Sequence, residues 1–92
     1  MATILDDPNE FVAMEEGDRE QLLTWIAEMV SPRKTVLRQS SYYLKHLFER
    51  DRRVYVTNGE FKGAMRSCGY EPVNEGEQNW LFRVNVKRVT RW

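Results

Sequence analysis

Ninety-two residues leave room for one small core and exclude a second domain. Fourteen Lys and Arg balance fourteen Asp and Glu, and 41% apolar with 12% aromatic residues is more than a disordered chain carries. One cysteine excludes an internal disulfide, one histidine beside it excludes the usual four-ligand zinc sets, and no run approaches the roughly twenty apolar residues of a membrane span. The opening MATILDDPNE has neither a basic leader nor an apolar run, so the expected compartment is the cytoplasm.

Zero net charge conceals a division. Residues 1–32 hold eight acids against Arg19 alone, a net of −7, and residues 33–92 hold thirteen bases against six acids, a net of +7. Such asymmetry is expected of a chain that meets a polyanion, or of one whose acidic arm folds over a basic body and screens it.

In chain order, residues 1–17 mix Pro8, Gly17 and many acids with scattered apolar residues, which predicts a loose acidic arm with at most one short helical turn. A single domain over 18–92 follows. Asp18 with Gln21 reads as a capping box, and Leu22, Ile26 and Met29 with Leu23 and Val30 form the apolar face of a first helix over 18–30, stopped by Ser31-Pro32. A short extended piece, Thr35-Val36-Leu37, leads to Ser40-Ser41, caps for a second helix over 42–50 whose apolar face is Tyr43, Leu44, Leu47 and Phe48. After a short Val54-Tyr55-Val56 segment, Thr57 and Glu60 form a second capping box. Phe61, Ala64, Met65 and Cys68 recur at helical spacing, and Gly69-Tyr70 suits a left-handed carboxyl cap. Glu71-Pro72-Val73, a polar turn, and the alternation of Trp80, Phe82, Val84 and Val86 with Asn79, Leu81, Arg83, Asn85 and Lys87 predict a carboxyl-terminal β-hairpin.

Three helices followed by a hairpin make an α+β chain with the element order of a winged helix-turn-helix domain, in which the third helix is offered to the DNA major groove and the hairpin to phosphates. With Phe61, Ala64, Met65 and Cys68 inward, Asn58, Gly59, Lys62, Gly63, Arg66 and Ser67 are expected to face outward. The candidate DNA contacts are therefore Asn58, Lys62 and Arg66 on the third helix, Arg83, Lys87 and Arg88 on the hairpin, and Arg52 and Arg53 flanking them. As solvent-facing contacts, Lys62 and Arg66 should tolerate alanine without loss of melting temperature. Gly59 and Gly63 are either tolerated surface glycines or marks of a close backbone approach. Trp25 and Leu22 form the candidate surface of a homodimer.

No catalytic residue, metal site or cofactor is expected. His46 lacks a nucleophile or acid signature around it, Cys68 reads as a small buried hydrophobe, and the Asp6-Asp7 and Glu15-Glu16 pairs lack calcium-loop spacing. Tyr42, Tyr43, Tyr55 and Trp92 either complete a core or interface or stack on unpaired bases.

The stretch from Ser41 to Val84, with SYYLKHLFE, YVTNGEFKGAM, GYEPV and NWLFRV, resembles small proteins encoded on bacterial phages, plasmids and integrative elements. Its FKGAMRSCGYEPV and NWLFRV segments also look like the winged-helix segments attached to phage and plasmid primase-helicases. The resemblance implies a cytoplasmic accessory protein of a mobile element, engaged in DNA transactions, regulation or interference with host machinery. Phe61, Met65, Gly69, Tyr70, Trp80 and Phe82 carry it, and all speak for fold. The leading expectation is a non-enzymatic DNA-binding protein. Its rival is a protein–protein module that inhibits or adapts a host complex, such as a defence system, with the acidic arm imitating nucleic acid.

Overall fold

The computed structural model describes residues 7–33 and 38–87. Its elements are a 3-10 helix over Pro8–Ala13, α1 over Glu16–Met29, β1 over Val30–Pro32, β2 over Gln39–Ser40, α2 over Ser41–Arg52, α3 over Asn58–Ser67, β3 over Leu81–Phe82 and β4 over Val84–Val86. The chain is thus a small α+β protein. The extended piece expected at 35–37, Arg88 and Trp92 lie outside the described residues.

Local rules account for most helix ends. α3 begins with the expected capping box: Thr57 Oγ1 accepts from the Glu60 amide, while Glu60 accepts from the Thr57 amide. It ends in a Schellman motif, in which Gly69 takes φ 93°, its amide bonds to Arg66 O at 2.9 Å, and the Tyr70 amide bonds to Met65 O at 3.0 Å. Ser40 caps α2 by accepting from the Tyr43 amide at 3.0 Å. α1 differs from expectation, because it starts two residues earlier, at Glu16, with no side-chain cap. Glu16 and Asp18 instead place negative charge in its first turn, where the helix dipole favours it. At the other end of α2, Arg53 adopts the left-handed conformation at φ 60°, ψ 30°, which costs a non-glycine residue on the order of 1–2 kcal/mol.

Trp25 sits at the centre of the core. It is fully buried with Leu22 and Ile26, meets Phe48 edge-on at 5.6 Å and Phe61 at 6.4 Å, and its indole N–H donates to Asp51 Oδ2 at 2.9 Å. One side chain from α1 therefore joins α2 and α3. This corrects the homodimer surface expected at Trp25 and Leu22, since neither reaches solvent.

Strand pairing corrects the expected hairpin. β4 pairs antiparallel with β1, Val30 opposite Val86 and Pro32 opposite Val84, and β3 pairs antiparallel with β2, Gln39 opposite Phe82. The segment 81–86 is therefore laid against 30–33 and 39–40. Residues 71–73 are not a strand, and the turn is held by single bonds. Val73 N–H donates to Leu81 O, and the Asn74 side chain accepts from the Leu81 amide and donates to Asn79 O. Pro72 has no amide to give a ladder, and the Asn74 side chain supplies the bonds that backbone pairing would have made. The expected alternation survives: Trp80, Phe82 and Val84 are buried, while Arg83, Asn85 and Lys87 are exposed.

The largest departure concerns residues 7–14, expected within the loose arm. They pack on α3, with Phe11 and Met14 in the core. A Cβ on Gly59 would lie 2.5 Å from Asp7 O, and one on Gly63 would overlap Pro8 O and Phe11 Cβ. The two glycines, one helical turn apart, mark a close approach by the chain's own backbone. Thr57 Oγ1 donates to Glu10 Oε1 at 2.7 Å, Asp7 caps the 3-10 helix through the Asn9 amide, and the Arg19 guanidinium donates to Val12 O. The second oxygen of Glu10 is buried with no hydrogen-bond partner, close to the positive end of α3.

Alanine normally gains about 1 kcal/mol over glycine inside a helix. At Gly63 the obstruction is backbone, so overpacking, roughly 1–3 kcal/mol, should outweigh that gain. Gly63→Ala is expected to lower the melting temperature by several degrees, and Gly17→Ala, where a Cβ meets nothing, to leave it unchanged or higher. Thermal unfolding of both variants by circular dichroism checks this.

Candidate nucleic-acid interface

The expected contacts on α3 do not form a surface. Asn58 is 8% and Lys62 3% exposed, and Gly59 and Gly63 are buried beneath residues 7–11. The outward assignment of these four positions is therefore corrected. α3 is packed on both sides, by the helical core on one and by the amino-terminal segment on the other.

Asn58 has a structural task at the junction of three elements. Its Oδ1 accepts from Ser41 Oγ at 2.9 Å, and its Nδ2 donates to Gln78 O and Asn79 Oδ1. Ser41 Oγ in turn accepts from the Trp80 amide at 3.1 Å. Ser41, at the start of α2, the start of α3 and the 78–80 turn are tied through this one amide.

Lys62 and Arg66 both engage Trp80. The Lys62 ammonium lies 5.0 Å and the Arg66 guanidinium 4.7 Å from its ring centroid. Arg66 also binds Glu75 at 3.1 Å and Glu71 at 3.2 Å, and the hydrogen bond to Glu75 is the main cause that holds its pKa above the ordinary arginine value. Both cations are thus committed to the turn that follows α3. Arg52 is likewise engaged, with Glu28 at 3.0 Å and Asp51 at 3.5 Å.

Arg53, Arg83 and Lys87 do reach solvent. Arg83 and Lys87 share one face of the 81–87 segment with Asn85, and the register of β1 with β4 continues to put Arg33 opposite Arg83, where the Arg33 amide donates to Arg83 O at 2.9 Å. Arg33 Nη1 also donates to Asn85 Oδ1 at 2.6 Å, so its side chain lies on that same face. The β2–β3 register begins at Gln39 opposite Phe82, and exposed Arg38 directly precedes it in the chain. Arg33 and Arg38 were absent from the expected site because their partner strand lies about fifty residues away.

The remaining chemistry is sparse. Cys68 is half-buried and its thiol pKa is raised by desolvation; the Tyr70 pKa is raised mainly by burial, and its hydroxyl donates to Val30 O. His46 Nδ1 lies 3.3 Å from Glu49 Oε1. Among the described residues no group of three or more His, Cys, Asp or Glu is placed to hold a metal ion, and no helix is long and apolar enough to cross a membrane.

Burial reverses the stability expected for Lys62→Ala. Asn58→Ala should destabilise by about 1–3 kcal/mol, because it leaves Ser41 and the 78–79 turn without partners, and Lys62→Ala should also lower the melting temperature by several degrees. Urea titration of each variant checks this. An unchanged midpoint would show that these side chains carry no packing role.

No family model, curated protein or solved structure matches the chain.

Proposed function

We propose that this protein is a non-enzymatic nucleic-acid-binding accessory or regulatory protein of a phage or mobile element, acting in the cytoplasm, and that it grips phosphates with the sheet face formed by Arg33, Arg83 and Lys87, with Arg38 at its border. The observation that carries the reading is the exposed pair Arg83 and Lys87 on one face of the 81–87 segment, with Arg33 across from Arg83 on that same face. Arg38, Arg83 and Lys87 are exposed, and exposed guanidinium groups are suited to bidentate phosphate contacts. The resemblance to proteins of mobile elements favours the same class. In this reading the wing-like strand, and not α3, meets the nucleic acid, which departs from the usual winged-helix mode of docking.

A second reading is favoured by the surface of α1. Glu15, Glu16, Glu20 and Glu28 are exposed along α1, an acidic face suited to a basic protein partner that ordinarily holds nucleic acid. Truncation of residues 1–17 does not separate the two readings, because Phe11 and Met14 belong to the core. Charge changes do.

Arg83→Ala with Lys87→Ala should weaken DNA binding at about 50 mM salt and reduce the slope of log affinity against log salt by roughly one unit per cation, with little effect on melting temperature. Glu16→Lys with Glu20→Lys should leave DNA affinity equal or higher. Fluorescence anisotropy measures all of these. An unchanged salt slope in the arginine–lysine variant would reject the sheet face.

A further inference from the structure

Between residues 38 and 55, a fully described stretch, the exposed side chains are Arg38, Tyr42, Tyr43, Arg50, Arg53 and Tyr55. Every one is cationic or aromatic. Tyr43, expected on the apolar face of α2, is 48% exposed, Tyr42 51% and Tyr55 80%. The acids of this stretch are turned to internal partners: Glu49 binds Lys45 at 3.1 Å and accepts the Val56 amide, and Asp51 accepts from Trp25.

Part of the exposed set is laid out in order. Tyr42, His46 and Arg50 recur at spacings of four, which places them along one line of α2 about 12 Å long, with Arg53 as the left-handed cap residue just beyond the helix. That length matches roughly three or four stacked nucleotides. The rings are held from beneath: the buried Lys45 ammonium lies 5.6 Å from the Tyr42 centroid and 5.1 Å from that of Tyr55, and His46 meets Tyr42 edge-on at 4.4 Å. Tyr42 and Tyr55 therefore share one cation as a support. Arg53 holds its left-handed conformation with its residue exposed, at a position where glycine would fold without strain. The conformation ends α2, with the Arg53 amide bonded to Glu49 O at 2.9 Å, and leaves the residue at the surface.

Resting on the nucleic-acid reading above, we propose that this stripe is a stacking platform and that the preferred ligand is a single strand, with unpaired bases on Tyr42, Tyr43 and Tyr55 and phosphates on Arg38, Arg50 and Arg53. A duplex hides its base faces and gains nothing from exposed rings, whereas each unpaired base offers one. Absence of exposed acid along the stripe complements the backbone charge of the strand.

The test compares the full chain against labelled oligothymidine and a labelled hairpin duplex by fluorescence anisotropy. Oligothymidine should bind at least about tenfold more tightly than the duplex. Tyr42→Ala with Tyr55→Ala should lose on the order of tenfold or more toward oligothymidine alone, while Tyr42→Phe with Tyr55→Phe keeps the affinity, because stacking needs the ring and not the hydroxyl. Arg53→Gly should weaken single-strand binding while the melting temperature stays level or rises. Equal affinity for strand and duplex, unaffected by the alanine changes but reduced by Arg83→Ala with Lys87→Ala, would overturn the platform and leave the sheet face standing. Failure to bind either oligonucleotide at about 50 mM salt would overturn both. Polyglutamate that binds as tightly as oligothymidine would overturn the platform in favour of an acidic protein segment.

Discussion

The contact between the backbone of Asp7 and Pro8 and the glycine pair of α3 is the constraint on which the remaining structure depends. Because Gly59 and Gly63 present no Cβ, the amino-terminal 3-10 helix can lie directly on α3 and deliver Phe11 and Met14 to the core. A chain of 92 residues has little apolar area to spare, so covering the second side of α3 enlarges a core that three helices alone would leave thin. The acidic segment is thus part of the fold. Its carboxylates also come to the positive end of α3, where Glu10 accepts from Thr57.

Enclosing α3 decides where any ligand can be met. With Asn58 tying three elements together and Lys62 and Arg66 held over Trp80, the helix that a winged-helix order would offer to DNA has its polar side chains turned to internal bonds. Cations that remain at the surface lie on the 81–87 segment and along α2.

Features governed by short-range rules were legible in the sequence. The capping box at Thr57 and Glu60, the Gly69-Tyr70 carboxyl cap, the Ser40 cap and the alternation from Trp80 to Val86 all depend on residues a few positions apart, and each is found as expected. Contacts between distant segments were not. Lys62 and Asn58 have the composition of a solvated face, and nothing within α3 tells that Trp80 and Ser41 will cover them. Gly59 and Gly63 did hint at a close approach, but the approaching backbone lies about fifty residues earlier. For the same reason the partner of the 81–86 segment was misassigned to its neighbour in sequence, when Val30–Pro32 and Gln39–Ser40 pair with it. Tyr43 was placed inward by spacing alone, although the adjacent Leu44 occupies that side. The pair of Arg33 and Arg83 exists only once those registers are set.

The most direct test of this account is chemical-shift mapping of the isotope-labelled full chain as oligothymidine is added at low salt. The account predicts shifts centred on Arg33, Arg83 and Lys87 and on Tyr42, Arg53 and Tyr55, with the amides of Asn58 to Met65 unmoved. Shifts centred on α3, at Asn58, Lys62 and Arg66, would contradict it, because they would require the amino-terminal segment to leave the helix and the recognition surface to be the one found buried.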